Sequence, residues 1–378
     1  MGFLKQESPV VDYAEWSKGT RAEKIVPMAR HWAEVGFGTP VVLHLFYVVK
    51  ILLYVLAAWL VVLTTDGIDG FTNVAQWYAE PIVFEKVVLY TMLFEVVGLG
   101  CGFGPLNNRF IPPMGSALYW LRPKTIRLPP WPTRIPLTKG TSRTPFDVLM
   151  YVALLIALLF ALLSDGSGPI PELNTTVGVL PTWQIATILG ILAVLGLRDK
   201  VIFLAARGEV YASLTVCFLF GGVDMIIAAK LVCLVIWLGA ATSKLNKHFP
   251  FVVSTMMSNS PVFRPKSIKR MFFEKFPDDL RPGRLSRIFA HGGTIIEMCA
   301  PPVMFFSHGG WLTAAAALVM VCFHLAILTA IPMGVPLEWN VFMIFGVLSL
   351  FVAHANLGLR DLKNPAPAAI LFVVIAAI

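Results

Sequence analysis

The sequence is poor in charge. Only 14% of its 378 residues are Asp, Glu, Lys or Arg, against ~25% in a soluble domain. At the same time 57% are apolar, and that much apolar surface needs lipid to face it. A freely soluble globule is thereby excluded. Cysteine is scarce as well. The five thiols, Cys101, Cys217, Cys233, Cys299 and Cys322, lie in or beside apolar runs, and no two form a CxxC. This excludes a zinc framework or disulfide scaffold and points to free, buried thiols. No P-loop, nucleophile elbow, HExxH pair or sustained heptad is present. No nucleic-acid recognition motif accompanies the net charge of +8, so the expected partner of the basic residues is anionic lipid, not nucleic acid. The first 38 residues are polar and charged, unlike a cleavable signal peptide, so the first apolar run must itself direct insertion.

What the sequence does have is apolar runs. A spanning helix needs about 20 mainly apolar residues. Such runs cover Val41–Leu63, Ile82–Leu99, Val148–Leu163, Ile185–Leu197, Val210–Phe220, Met225–Gly239, Ile288–Phe306, Leu312–Ile331, Val341–Ala353 and Pro367–Ile378. The two between residues 210 and 239 read either as half-helices or as a pair split at Gly221, Gly222 and Asp224. The expected fold is an all-α, polytopic transmembrane bundle of about eight to ten spans with amphipathic interfacial helices. The last run is only a dozen residues, about 18 Å of helix against a hydrocarbon core of about 30 Å. The expectation is a chain that continues beyond Ile378.

The basic residues sit in alternate loops. The N-terminal segment carries Lys5, Lys18, Arg21, Lys24 and Arg30, whereas residues 64–81 carry no Lys or Arg. The next loop holds Arg109, Arg122, Lys124, Arg127, Arg134, Lys139 and Arg143; residues 164–184 again have none. By the positive-inside rule the N-terminus is cytoplasmic, in the inner (plasma) membrane. Two basic loops look interfacial. One, around Trp120–Pro132, combines Trp, Arg and helix-breaking prolines. The other, around Phe263–Phe276, interleaves apolar and basic residues at near-helical spacing, as a surface-lying amphipathic helix does. Three divisions follow: a cytoplasmic amphipathic segment over 1–39, a first transmembrane part over 40–200 containing the Pro/Trp-rich loop 102–146, and a second transmembrane part over 201–378.

Ionisable groups inside apolar runs cost a few kcal/mol each unless paired or solvated, so each is a functional candidate. Here they are His44, Lys50, Glu95, Asp147, Glu209, Asp224, Lys230, Lys244, His291, Glu297, His324 and His354. Bland alternatives exist for several. Lys50 can pair with Glu95, Asp224 with Lys230, and Lys86 can snorkel from a helix end. His291 and Glu297 are six residues apart, about 600° of helix, and lie on different faces. Glu297 precedes Pro301-Pro302 by four residues, the pattern of a kinked helix with a pairing or functional carboxylate. The glycines of Gly98-Leu-Gly-Cys-Gly-Phe-Gly104 suit close helix packing or a helix exit.

Two stretches carry a resemblance. Leu238-Gly-Ala-Ala-Thr-Ser-Lys244-Leu245 ends an apolar helix. It is followed by Gly292–Pro302, with its Glu and Pro, and by Phe323-His324-Leu. In order and spacing, across roughly residues 200–350, this resembles the transmembrane region of vitamin K-dependent γ-carboxylases and their bacterial relatives, the HTTM family. Val10-Val-Asp-Tyr and Ala29-Arg-His-Trp-Ala-Glu resemble an uncharacterised mycobacterial transmembrane family. The first resemblance implies that Lys244 acts as a base toward a quinone such as menaquinone, with Glu209 and Glu297 as further catalytic candidates. Where those enzymes place an upstream histidine, this chain offers Glu209. Binding candidates are His291, His324, Asp224 and Lys230. No metal site is expected.

Three functions remain open from sequence: an intramembrane lipid, isoprenoid or quinone site with carboxylase-like chemistry; a lipid-transport accessory; and a structural subunit of a mycobacterial membrane complex. Expected partners are membrane lipids and either other membrane proteins or a second copy of the chain.

Overall fold

The protein is described by a computed structural model, which describes residues 2–100, 116–330 and 337–377. These are mainly helical; the only sheet among them is a two-stranded hairpin. Among the described residues five helices are long and apolar enough to cross a membrane: Val41–Val62, Pro145–Leu162, Gly222–Ser243, Arg284–Phe306 and Gly310–Leu328. Shorter apolar helices cover Pro81–Val97, Thr182–Arg198 and residues 337–353. The polytopic helical reading therefore holds.

One span is corrected. Residues 222–243 form one unbroken helix of 22 residues, so the half-helix alternative falls, while the split at Gly221 and Gly222 holds. Gly222 supplies its start with a positive φ of 49°, which glycine adopts without a Cβ penalty. The preceding run is a short π-turn, Gly208–Ala212, continued by Ser213–Cys217.

The chain divides into two compact units, each assembled from segments distant in sequence. Unit 1 comprises Met1–Leu53, Leu238–Cys299 and Cys322–Val335; unit 2 comprises Tyr54–Trp237, Ala300–Val321 and Pro336–Ile378. In unit 1 the helix Arg21–Val35 starts at a capping box. Thr20 Oγ1 accepts from the Glu23 N–H at 3.3 Å, while the Glu23 carboxylate accepts from the Thr20 N–H at 2.7 Å. This helix packs on Phe249–Asn259 and Lys266–Arg270. Ser258 Oγ donates to the Ala33 carbonyl at 3.0 Å, and the Phe37 N–H donates to Asn259 Oδ1 at 2.9 Å.

The second basic loop differs from the amphipathic helix expected. Only Lys266–Arg270 is helical; Phe273–Lys275 and Asp279–Pro282 then pair as an antiparallel hairpin. Lys269 lies buried beneath it and donates to the Ser258 carbonyl at 2.5 Å. Burial pushes its ammonium below the ordinary lysine range. At the start of the second strand, hydrogen bonds from Arg281 hold Asp279 down to about 2.

Unit 2 is built around Pro81–Val97. Pro81 occupies its first turn, where no N–H is needed, and Gly98 closes it at a left-handed φ of 92°. Ile82, Phe84, Leu89, Met92 and Val96 are all fully buried, so this helix is covered on every side. It packs against Pro145–Leu162, which in turn packs along Thr182–Arg198.

The first basic loop also differs from expectation. Trp120 is fully buried and stacked on Tyr151 at 5.5 Å, with the Arg143 guanidinium 4.3 Å from its ring centroid. Arg143 pairs with Asp199 at 2.9 Å. Arg127 is buried against Asp147 at 3.3 Å, and Arg198 pairs with the same carboxylate. Two of the loop's arginines thus stitch helix ends together rather than facing headgroups. Residues 102–115 of this loop, with Arg109, lie outside the described residues, as does Cys101. The other four cysteines are free; Cys217 and Cys233 are buried, while Cys299 and Cys322 are exposed.

Candidate functional site

Lys244 stands one residue past the end of the Gly222–Ser243 helix. Glu297 lies within Arg284–Phe306, a helix that carries Pro301 and Pro302 inside it. Fifty-three residues apart in sequence, Lys244 Nζ and the Glu297 carboxylate form a hydrogen-bonded ion pair in unit 1. The carboxylate side chain is 2% exposed and the lysine 23%, so one end of the pair is dry and the other open. Phe249 and Phe323 each place a ring centroid 5.8 Å from Nζ, within cation–π range. Behind Phe323 the fully buried His324 packs its ring at 5.7 Å, inclined by 68°.

This grouping unites Lys244 and Glu297 with Phe249 and Phe323 across three segments. An ammonium and a carboxylate sharing a hydrogen bond can exchange a proton without creating net charge. That is the requirement on an acid–base pair in a low-dielectric site. The two phenylalanines supply apolar walls at the open end. His291 is elsewhere on the helix. It is exposed and lines a shallow cleft with Arg284, Arg287 and Ile288.

The remaining candidates belong to unit 2. Glu209 is half-exposed and pairs with Arg207 at 3.5 Å; Arg207 also approaches the buried Glu95 at 3.7 Å. Lys230 is buried and donates to the carbonyls of His354 and Leu357, both at 2.7 Å. Asp224 accepts from the N–H groups of Lys363 and Asn364 at 2.8 and 2.9 Å. Both residues thus hold the backbone around the 354–364 turn instead of pairing with each other. Lys86 does not snorkel: it is fully buried and donates to Thr65 Oγ1 at 2.6 Å. Among the described residues, no group of three or more His, Cys, Asp or Glu is placed to hold a metal ion.

Sequence reasoning missed several buried polar residues of unit 2. Glu338, assigned above to no apolar run, is fully buried at the start of the helix Leu337–Gly346, as is Asn340. Tyr211 is fully buried on the π-turn. The available signal was position: Glu338-Trp-Asn340 opens an apolar run, where only buried partners make a carboxylate tolerable.

No curated protein and no solved structure matches the chain. One family does, along residues 1–378. With its spanning helices and buried ion pairs described, the chain belongs to the family of transmembrane proteins of unknown function designated DUF3556.

Proposed function

We propose that this integral membrane protein binds the polar head of a membrane lipid or isoprenoid, a quinone such as menaquinone foremost, at the Lys244–Glu297 pair. The observation that carries the reading is the pair itself: an ammonium 23% exposed, fixed by a buried carboxylate and flanked by two aromatic rings. A carbonyl or phosphate oxygen meets a charged donor there, and an isoprenoid or acyl chain meets Phe249 and Phe323. The resemblance of residues 200–350 to the γ-carboxylase-like transmembrane region favours a quinone and a proton-transfer role for Lys244, with Glu297 as the group that exchanges its proton. In the same reading the alternation of basic loops sets the N-terminus on the cytoplasmic side of the plasma membrane.

The test is the amount of quinone and lipid that copurifies with the full chain, measured by mass spectrometry per mole of protein. Losing a charged hydrogen bond costs about 1.5–3 kcal/mol, roughly 10- to 100-fold in occupancy. Lys244→Ala is expected to lower the bound isoprenoid by at least that smaller factor, with the elution profile unchanged. Equal occupancy in Lys244→Ala, Glu297→Gln and the unaltered protein rejects the reading.

A further inference from the structure

The helices of unit 2 enclose a second polar cluster, separate from the Lys244–Glu297 pair and carried by different residues. Glu95, on Pro81–Val97, and Glu338, on Leu337–Gly346, are both fully buried. These two helices pack on one another, and the first also packs on the π-turn Gly208–Ala212. The turn follows Arg207, a non-glycine residue held at a left-handed φ of 47°. Both features are unfavourable in an ordinary helix and collect where side chains must be aimed.

What the turn aims is Tyr211. Its ring stands edge-on to Phe342 at 5.3 Å and is fully buried. Its hydroxyl has no hydrogen-bond partner among the described residues. Phe342 lies one helical turn past Glu338 on Leu337–Gly346, and Glu95, Arg207, Glu338 and Tyr54 are the ionisable groups in electrostatic range of the ring. Tyr54, itself bonded to Thr91 at 2.6 Å, also feels Glu95, Glu338 and Tyr90. A buried phenol O–H without an acceptor is costly. The Glu95 and Glu338 carboxylates are the acidic groups around it, and either can accept the phenol's proton.

Exposure is graded toward this point. The Glu209 side chain is 45% exposed, that of Arg207 21% and that of Glu95 0%. Arg207 lies 3.5 Å from Glu209 and 3.7 Å from Glu95, too far for a hydrogen bond to either. The three side chains form a stepped line of charged groups from the exposed Glu209 inward to Glu95. Arginine keeps its proton, so it can orient such a line without interrupting its charge balance.

We propose that Glu95, Tyr211 and Glu338 form an intramembrane proton-binding site, reached from solvent past Glu209 and Arg207. A proton from bulk water is taken up by one of the two carboxylates, which becomes a neutral acid. The Tyr211 hydroxyl donates to that acid's carbonyl oxygen or relays the proton by giving one and accepting another. No electron moves and no bond other than O–H is made or broken. A metal cation is the competing occupant of the same acidic groups.

The experiment is infrared spectroscopy of the full chain in lipid nanodiscs, titrated from mildly acidic to mildly alkaline pH in potassium and in sodium buffers. The expected result is a protonated-carboxyl band that titrates identically in both salts. It is lost in Glu95→Gln/Glu338→Gln. In Tyr211→Phe, which removes one O–H donor and nothing else, the band moves to higher frequency. A purely structural tyrosine would change thermal stability without moving the band. The proposal is overturned by a band that does not titrate, by one that persists in the double variant, or by one unshifted in Tyr211→Phe. A band displaced by sodium alone overturns it as well, in favour of a cation site. Should the double variant fail to fold, the Tyr211→Phe shift and the salt comparison decide.

Discussion

Replacing Asp147 tests how the first basic loop is anchored. Its carboxylate receives Arg127 at 3.3 and 3.4 Å, pairs with Arg198, and accepts the Thr144 N–H at 2.7 Å to cap the helix Pro145–Leu162. Asp147→Ala leaves Arg127, whose side chain is 1% exposed, without its counter-charge. Removing one partner of a buried pair costs about 3–5 kcal/mol, and losing a helix cap costs about 1. Two facts place the first figure at its lower end. Arg127 retains the carbonyls of Lys139 and Gly140 at 2.6 and 2.8 Å, and Arg198 is 15% exposed and partly solvated. The expected loss is therefore about 4 kcal/mol for Asp147→Ala. It is about 3 for Asp147→Asn, which keeps an acceptor for the Thr144 N–H. The assay is unfolding of the detergent-purified protein in increasing dodecyl sulfate, followed by circular dichroism and tryptophan fluorescence. An Asp147→Ala protein within about 0.5 kcal/mol of the unaltered one, the scatter of ordinary surface changes, refutes the reasoning.

Three further outcomes follow from the same geometry. Lys230→Met strands the carbonyls of His354 and Leu357. At about 1–3 kcal/mol each it should lose about 2–6 kcal/mol in the unfolding assay, and backbone amides near residues 354–364 should exchange faster by mass spectrometry. Lys269 is pushed down by burial, so the unfolded chain binds the extra proton. Stability should then rise as pH climbs from the lowered native value toward the ordinary ~10.4. Lys269→Met should flatten that slope, and an unchanged slope contradicts the assignment. Thr20→Ala, which opens the capping box of Arg21–Val35, should cost about 1 kcal/mol, read as a lower thermal midpoint of the unit 1 helices.

The spanning segments were legible because an apolar run of sufficient length has one stable form in lipid, a helix with every backbone group paired internally. Val41–Val62 and Pro145–Leu162 emerged within three residues of their expected ends. Lys244 and Glu297 were legible as costly charges, and Lys244 also through its Lys-Leu context. Their pairing was not, because nothing local to either residue specifies a partner fifty-three positions away. The basic loops were read by composition, which registers charge but not burial. Arg127, Arg143 and Lys269 were expected near the headgroups, yet each is enclosed by acceptors contributed from elsewhere in the chain. The segment 268–276 carried a helical pattern over too few residues to outweigh the closing of a hairpin onto Lys269 and Phe272. Glu338 and Tyr211 escaped notice because one sat at the edge of an apolar run and the other looked like an ordinary apolar position.

Pro301 and Pro302 bear on how a ligand would be admitted. Neither residue has an N–H to offer, so the carbonyls of Glu297 and Met298, four positions earlier, lose their donors from within the helix. The turn that presents the Glu297 carboxylate is thus short of two backbone hydrogen bonds within Arg284–Phe306. Local bending of that single turn would reposition the acid relative to the base at little energetic cost. Access to the pair then needs no separation of packed helices. A helix with alanine at both positions would hold Glu297 fast and should slow ligand exchange while leaving the pair intact.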